Sequence, residues 1–238
     1  MRIVALCSSP AKAFHLSQTL DRESEGELWF LVPNSNRRPK AFFALLLFAH
    51  TLKKGLRCSL WALRSLLRRR LLFSLGALED DVVLQKVRRL QPDVGLHATG
   101  VIYRRPLIDC FRLGILNAHI GLLPRYRGRS VMEWSLLNGD PTGVTTFFID
   151  DGIDTGARIV LRRHVDVFDC RTVGDAKGYL FSLDGAMYAE ALRRLRTADF
   201  VPETQSPEEG VRWFVMSRLF TSVVDRILED AATSASTG

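Results

Sequence analysis

The sequence predicts an α/β fold, a Rossmann-like and mostly parallel sheet with helices on both faces. Patterns of short buried strands alternate with helical patterns along most of the chain, as expected for parallel strands joined by helices. Hydrophobic residues make up 47% and charged residues 25% of the 238 positions, a balance that excludes disorder, collagen and coiled coil. The longest apolar run, residues 41–49, is far shorter than the roughly 20 residues that span a bilayer.

Individual elements follow from local patterns. Short apolar runs rich in β-branched residues predict strands at residues 2–7, 28–32, 93–98, 114–116, 144–149 and 157–161. Apolar residues at helical spacing predict helices at residues 11–20, 60–71, 79–90, 106–111, 130–137, 172–195 and 210–228. Breakers close several of them, such as Pro92 after the third helix and Gly139 after the fifth.

The basic charge is concentrated in one segment. The net charge is +7, yet residues 29–78 hold ten basic residues and no acidic one. They are Arg37, Arg38, Lys40, Lys53, Lys54, Arg57, Arg64, Arg68, Arg69 and Arg70. The apolar run 42–48 beside them favours contact with an anionic membrane surface over nucleic acid. In the alternative interpretation, the run packs in the core and the arginines extend around it.

Cysteine usage and the start of the chain indicate the compartment. Cys7, Cys58, Cys110 and Cys170 lie far apart, with no zinc or redox spacing, as in a reducing environment. The first residues lack the pattern of a secretory signal. We therefore expect a cytoplasmic protein that is peripheral to the membrane if the basic segment docks there.

Candidate reactive residues lie at strand ends. Asn117 and His119 are two apart at the end of a predicted strand, so their side chains point the same way. Asp154 comes directly before a later strand. An amide N–H can stabilise an oxyanion, and a histidine oriented by a carboxylate can donate or relay a proton. This set suits attack by a substrate amine on a carbonyl.

At these residues the sequence resembles the folate-dependent formyltransferase family, which includes glycinamide ribonucleotide, methionyl-tRNA and sugar N-formyltransferases. The matching positions are Asn117, His119, Leu122, Leu123, Pro124, Arg127, Gly128, Trp134, the run 142–145 and the run 154–156. Two positions depart from the family pattern. Residues 120–121 are Ile-Gly where many members have Pro-Ser, and Phe147 stands where several have His.

The resemblance implies a formyltransferase fold, a catalytic trio of Asn117, His119 and Asp154, and no metal. It implies 10-formyltetrahydrofolate as donor and a small-molecule amine as acceptor. The residues that it assigns to the folate pocket are Gly100, Val101, Ile102, Asp150 and Gly152. Those that it assigns to the acceptor substrate are Arg127 and Gly128.

Two further differences from members of the resembled family narrow the range of acceptors that we expect. Residues 8–10, Ser-Ser-Pro, lack the glycine-rich turn that would bind the phosphate of glycinamide ribonucleotide. We also expect the chain to be too short for the β-barrel of the tRNA enzymes. An amino sugar on a nucleotide or lipid carrier is therefore favoured. The alternatives are a glycinamide ribonucleotide-type enzyme, or a non-catalytic module that docks on membrane or nucleic acid through its basic segment.

The resemblance also suggests a domain organisation. Residues 1–200 are expected to form the formyltransferase catalytic domain, with a basic amphipathic helical insertion at about residues 37–76. Residues 201–238 are expected to form a helical C-terminal extension with a frayed tail.

Overall fold

A computed structural model of the chain describes residues 1–21, 27–33, 53–74, 77–150 and 158–235. The chain forms two compact units, Met1–Leu116 and Asn117–Gly238. None of the helices in these ranges is both long enough and apolar enough to cross a membrane.

The first unit contains a parallel sheet. Its strands are β1 (Ile3–Cys7), β2 (Leu28–Pro33), β3 (Leu71–Ser74), β4 (Val94–Ala98) and the start of β5 (Gly114–His119). Their order is β3-β2-β1-β4-β5, and each neighbouring pair is parallel. The helices are α1 (Pro10–Leu20), α2 (Leu56–Leu67), α3 (Asp81–Leu90) and α4 (Arg105–Ile108). Strand β1 is buried along its whole length, as expected for a strand with neighbours on both sides.

Local chemistry sets where α1 begins. The Ser9 hydroxyl accepts a hydrogen bond from the backbone N–H of Lys12 at 3.2 Å, which satisfies one of the free amides at the helix start. Pro10 occupies the first turn, where its missing N–H costs nothing.

The second unit continues β5 and adds antiparallel strands. Its remaining strands are β6 (Tyr126–Gly128), β7 (Gly143–Phe148), β8 (Arg158–His164), β9 (Glu203–Thr204) and β10 (Val211–Trp213). The order is β5-β7-β8-β9, with β6 and β10 forming a separate parallel pair. Pairs β7–β8 and β8–β9 are antiparallel. The helices are α5 (Val131–Leu137), α6 (Val173–Ser182), α7 (Asp184–Arg196) and α8 (Arg218–Ala235).

The predicted α/β class, with a large sheet flanked by helices, is confirmed, but three element predictions were wrong. The helix expected at 60–71 ends at Leu67; Arg69 turns the chain with φ 54°, and β3 follows. The helix expected at 172–195 is two helices that meet at Leu183.

The third error concerns residues 210–228, where β10 precedes a helix that begins only at Arg218. The apolar run 42–48 and most of the insertion expected at 37–76 lie outside the described residues. The proposed division at residue 200 stays a prediction.

Candidate active site

Strand β5 carries Asn117 and His119 on one side, as the alternation of side chains along a strand requires. Asn117 is half-buried and His119 is only 7% exposed. Between them, the backbone N–H of Ala118 donates a hydrogen bond to the buried hydroxyl of Tyr188 at 3.1 Å. Tyr188 lies on α7, so a helix far along the chain fixes the strand at the point between the two candidate residues.

The contacts of the His119 ring restrict its protonation. Its Nε2 lies 3.0 Å from the backbone carbonyl oxygen of Tyr126. A carbonyl can only accept, so Nε2 must carry a hydrogen in either charge state of the ring. Phe147 meets the imidazole edge-on, with ring centroids 6.3 Å apart and an interplanar angle of 87°. Nδ1 is therefore the ring nitrogen whose role changes with the charge of the ring. It accepts a hydrogen bond in the neutral ring and donates one in the cation.

The β5–β6 loop, residues 120–125, runs against this ring. A Cβ on Gly121 would lie 2.9 Å from Nε2 of His119 and 2.9 Å from the carbonyl oxygen of Tyr126. It would also come within 2.8 Å of the Val131 side chain. The loop follows this path only because residue 121 has no side chain.

Thr145 on β7 makes two hydrogen bonds to the backbone of the same loop. Its buried hydroxyl accepts a hydrogen bond from the N–H of Leu123 at 3.2 Å and donates one to the carbonyl of Gly121 at 2.7 Å. On β8, the Nε of Arg162 donates to the carbonyl of Leu123 at 2.6 Å. Strands β7 and β8 thus hold the loop that runs against His119.

Residues 207–216, which we name the strap, cover the end of the loop and β6. The Arg127 guanidinium donates through Nη2 to the carbonyl of Gly210 at 3.1 Å. Gly128 has φ 100°, and a Cβ there would lie 2.3 Å from the carbonyl oxygen of Trp213. A Cβ on Gly210 would meet the carbonyl oxygen of Pro124. Both glycines are required by the close approach of two backbones.

Aromatic side chains fill the seam between strap and loop. Trp213 stacks on Tyr126 with centroids 5.7 Å apart and on Trp134 with centroids 4.8 Å apart. The indole N–H of Trp134 donates to the carbonyl of Phe214 at 2.8 Å. Tyr126 donates its hydroxyl to Asp140, and burial is the main cause that raises the pKa of Tyr126.

One N–H group of the Arg127 side chain is not used within the described part of the chain. Its Nε is buried and has no hydrogen-bond partner within the described ranges. A buried guanidinium N–H without an acceptor is costly, and an anionic group of a ligand would relieve that cost. Arg127 directly follows Tyr126, whose carbonyl faces His119.

The other predicted site residues fall into two groups. Asp154 and Gly152 lie outside the described residues, and Asp150 is half-buried just before that gap. Beyond the gap, burial lowers the pKa of Arg158 while the charge of Asp150 opposes the change. In the first unit, Gly100 is exposed, as are Val101 (51%) and Ile102 (72%), on the β4–α4 loop, residues 99–104.

Sequence reasoning missed several supporting residues. Tyr188 and the strap are distant in sequence from the motif, and Arg162 lies shortly after its last run, but no local pattern marks any of them. Thr145 belongs to the run 142–145 that matches the family pattern, but its two hydrogen bonds to the loop are seen only in the structure. Within the described part of the chain, His, Cys, Asp and Glu side chains form no group that could hold a metal ion.

Together these features define an α/β protein whose candidate reactive side chains lie at the end of β5, backed by a tightly anchored loop. The family model described as Formyl transferase matches residues 50–192. This match covers more than half of the chain, which therefore belongs to the formyl transferase family.

Similar proteins agree with this assignment. Methionyl-tRNA formyltransferase from Clostridioides difficile (strain 630) is 33% identical over 132 residues, which are 55% of this chain and 42% of that relative. The matched part thus spans less than half of the relative. Phosphoribosylglycinamide formyltransferase from Bacillus halodurans has a similar fold, with a TM-score of 0.58 at 17% identity, over 83% of this chain and 96% of that one.

A second similar structure contains ligands. The formyltransferase PseJ from Anoxybacillus kamchatkensis, solved with a UDP-linked formamido sugar and tetrahydrofolate, has a TM-score of 0.50 at 20% identity. The alignment covers 71% of this chain and 93% of that one. At these identities, the two structural matches establish the fold alone.

Proposed function

We propose that this protein transfers a formyl group from 10-formyltetrahydrofolate to a primary amine of a phosphate-bearing acceptor, namely an amino sugar on a nucleotide or lipid carrier. The observation that carries the proposal is the placement of Asn117 and His119 on one side of β5. The family membership supports formyl transfer as the chemistry.

The reaction joins the amine nitrogen to the formyl carbon and breaks the bond between that carbon and N10 of the folate. The amine loses a proton and N10 gains one, so no external reactant is needed. The Asn117 amide N–H stabilises the oxyanion on the formyl oxygen. His119, with Nε2 held by the Tyr126 carbonyl, acts through Nδ1, while the charge of Asp154 tunes His119 and assists proton removal.

Arg127 supports an acceptor that carries phosphate. A guanidinium binds phosphate through two parallel hydrogen bonds, and the Nε–H of Arg127 lacks an acceptor among the described residues. Gly128, the second residue proposed for the acceptor, is half-buried directly beside that guanidinium. For the folate, the exposed apolar side chains of Val101 and Ile102 suit the face of a pterin ring. The family resemblance assigns Asp150 and Gly152 to folate binding as well.

An aminoacyl-tRNA is the second candidate acceptor. The observation in its favour is the 33% identity to methionyl-tRNA formyltransferase. The two candidates differ in size and in the charge that they present. A direct comparison of acceptors separates them.

The test is release of tetrahydrofolate from 10-formyltetrahydrofolate by the purified chain, with nucleotide-linked amino sugars, glycinamide ribonucleotide or methionyl-tRNA as acceptor. We expect turnover with an amino sugar and none with the same sugar bearing a hydroxyl in place of the amine. Turnover with methionyl-tRNA alone would replace the sugar acceptor. Absence of turnover with every amine would refute the enzyme and leave a non-catalytic module.

Variants test the residue roles. Asn117→Ala, His119→Ala and Asp154→Ala should each lower kcat by about 100-fold or more, as loss of an oxyanion or proton-transfer group does. His164→Ala is the matched control, since His164 is exposed at the end of β8, and it should retain full activity. Arg127→Lys should raise KM for a phosphorylated acceptor more than it lowers kcat, because lysine keeps the charge but not the planar fork.

A further inference from the structure

Helix α2 exposes its largest aliphatic side chains. Leu56, Leu60, Leu63 and Leu67 are 68%, 44%, 50% and 76% exposed. Their spacing of four, three and four residues places them in one narrow stripe along the helix. We name these four side chains the leucine stripe.

The opposite side of α2 faces the first unit with small side chains. Cys58, Ala62 and Ser65 are buried there. Trp61 lies beside them and packs against Phe14 and Phe30, with ring centroids 5.7 Å and 5.3 Å apart. The helix is therefore attached to its unit without the leucine stripe, which leaves about three turns of aliphatic surface outside.

Positive charge flanks the stripe on one side. Arg57, Arg64 and Arg68 each directly follow a stripe leucine, so all three lie about 100° further around the helix. All three are exposed, and residues 53–74 contain no acidic side chain. At the C-terminal end of α2, the carboxylate of Asp21 interacts electrostatically with Arg70 and Arg68.

We infer that α2 docks on an anionic lipid surface, with the leucine stripe inserted among the acyl chains and Arg57 and Arg64 on the headgroup phosphates. An exposed apolar face beside a basic flank is the pattern of an interfacial amphipathic helix. Lipid phosphates satisfy the arginines while the acyl region removes the leucines from water. This docking is independent of the acceptor and of formyl transfer itself.

Other kinds of partner would match either the arginines or the leucine stripe, but not both. Nucleic acid offers phosphates to the arginines but leaves the leucine stripe in water. A second copy paired through the stripe would set Arg57 and Arg64 against each other in an antiparallel pair, which is repulsive. In a parallel pair Arg64 would face Ser59, which carries no negative charge.

Co-sedimentation of the full chain with vesicles tests the inference. We expect binding to vesicles of about 70% phosphatidylcholine and 30% phosphatidylserine, weak binding to pure phosphatidylcholine, and loss of binding at high salt. Arg57→Gln/Arg64→Gln should weaken binding about 25-fold, and Leu60→Gln/Leu63→Gln at least as much.

Two control variants carry the same kinds of substitution at exposed positions outside α2. Arg163→Gln/Arg171→Gln removes two exposed arginines from the second unit, and Val82→Gln/Val201→Gln removes two exposed valines. Both controls should bind as the parent does. Circular dichroism and melting temperature verify that each variant is folded. Formyl transfer to a water-soluble acceptor should be equal in all of them, so failure of docking is distinguishable from failure of the enzyme.

Three outcomes would overturn the inference. Binding that ignores lipid charge or salt, equal binding by parent and α2 variants, or no pelleting with any vesicle would each do so. In the last case, sedimentation velocity identifies the occupant. A dimer that Leu60→Gln/Leu63→Gln converts to monomer assigns the stripe to a second copy, and a monomer assigns it to another segment or to a protein partner.

Discussion

The β5–β6 loop and the β4–α4 loop both follow a strand of the sheet, yet they are held very differently. Backbone groups of the β5–β6 loop are fixed by Thr145, Arg162 and the strap. On the β4–α4 loop, hydrogen bonds lie at the edges, such as the 2.9 Å contact between the hydroxyls of Thr99 and Tyr103, while Val101 and Ile102 are exposed. Proton transfer and oxyanion stabilisation need fixed atoms, whereas an apolar ring face tolerates small shifts.

Breaking the Thr145 anchor should have the largest effect. Thr145→Val leaves the N–H of Leu123 and the carbonyl of Gly121 without partners, and we expect a loss of about 2–4 kcal/mol in the free energy of unfolding. Thr146→Val is the control next door. The Thr146 hydroxyl is also buried but has no partner among the described residues, so its removal should be neutral or slightly stabilising. Urea denaturation of both variants gives the comparison; equal losses would contradict the anchor.

Filling the space at Gly121 comes next. Gly121→Ala places a methyl group 2.9 Å from Nε2 of His119, so the loop or the ring must move. We expect about 1–3 kcal/mol of destabilisation and a fall in kcat of at least 10-fold. Gly178→Ala, where a Cβ meets nothing within 4 Å on helix α6, should stabilise the chain by about 0.5–1 kcal/mol. Wild-type kcat in Gly121→Ala would show that the ring tolerates displacement.

The ion pair beside the loop offers a smaller, pH-dependent test. Glu203 binds the guanidinium of Arg162, and this hydrogen bond is the main cause that lowers the pKa of Glu203. A lowered pKa in the folded state adds stability above the usual glutamate value of 4.5, and that contribution is lost as the pH falls below it. Because Glu203 is 58% exposed, solvent screens the pair, and Glu203→Gln should cost only about 0.5–1 kcal/mol at pH 7.

Thermal melts at pH 7 and pH 3 measure this difference. The gap between parent and Glu203→Gln should shrink towards zero at the lower pH. The exposed Glu229, changed to Gln, serves as the control and should show no gap at either value. A gap that grows on acidification would reverse the assigned sign.

The β4–α4 loop should respond in binding and not in stability. Ile102 is 72% exposed, so Ile102→Ala should change the free energy of unfolding by less than about 0.5 kcal/mol. If the loop contacts the pterin, KM for 10-formyltetrahydrofolate should rise several-fold while kcat changes little. Val82→Ala, on helix α3, is a control of similar exposure. An unchanged KM would remove Ile102 from the folate pocket.

What the sequence could predict depends on how local the cause is. The shared side of Asn117 and His119 follows from strand alternation, and most strands of the sheet follow from apolar runs. Strands β6 and β10 were missed because each is three residues long and exists through pairing with the other, more than 80 positions away. The anchors Tyr188 and Arg162 were missed because their partners, Ala118 and Leu123, lie 70 and 39 positions away along the chain.

Helix α2 illustrates another limit of periodicity. The leucine spacing predicted a helix correctly, but it does not say which face is buried. Here the small residues are buried, and Trp61 packs against Phe14 and Phe30. The four leucines of the stripe lie on the exposed face, which their spacing alone does not indicate.

The stacked seam between strap and loop also has an optical consequence. Trp134 and Trp213 lie 4.8 Å apart at an interplanar angle of 28°, close enough for two indoles to share their electronic excitations. Trp29 and Trp61 are the remaining tryptophans and belong to the other unit. Ultraviolet dichroism and fluorescence of the paired indoles therefore report on the separation of the strap from α5, in a chain that needs no added label.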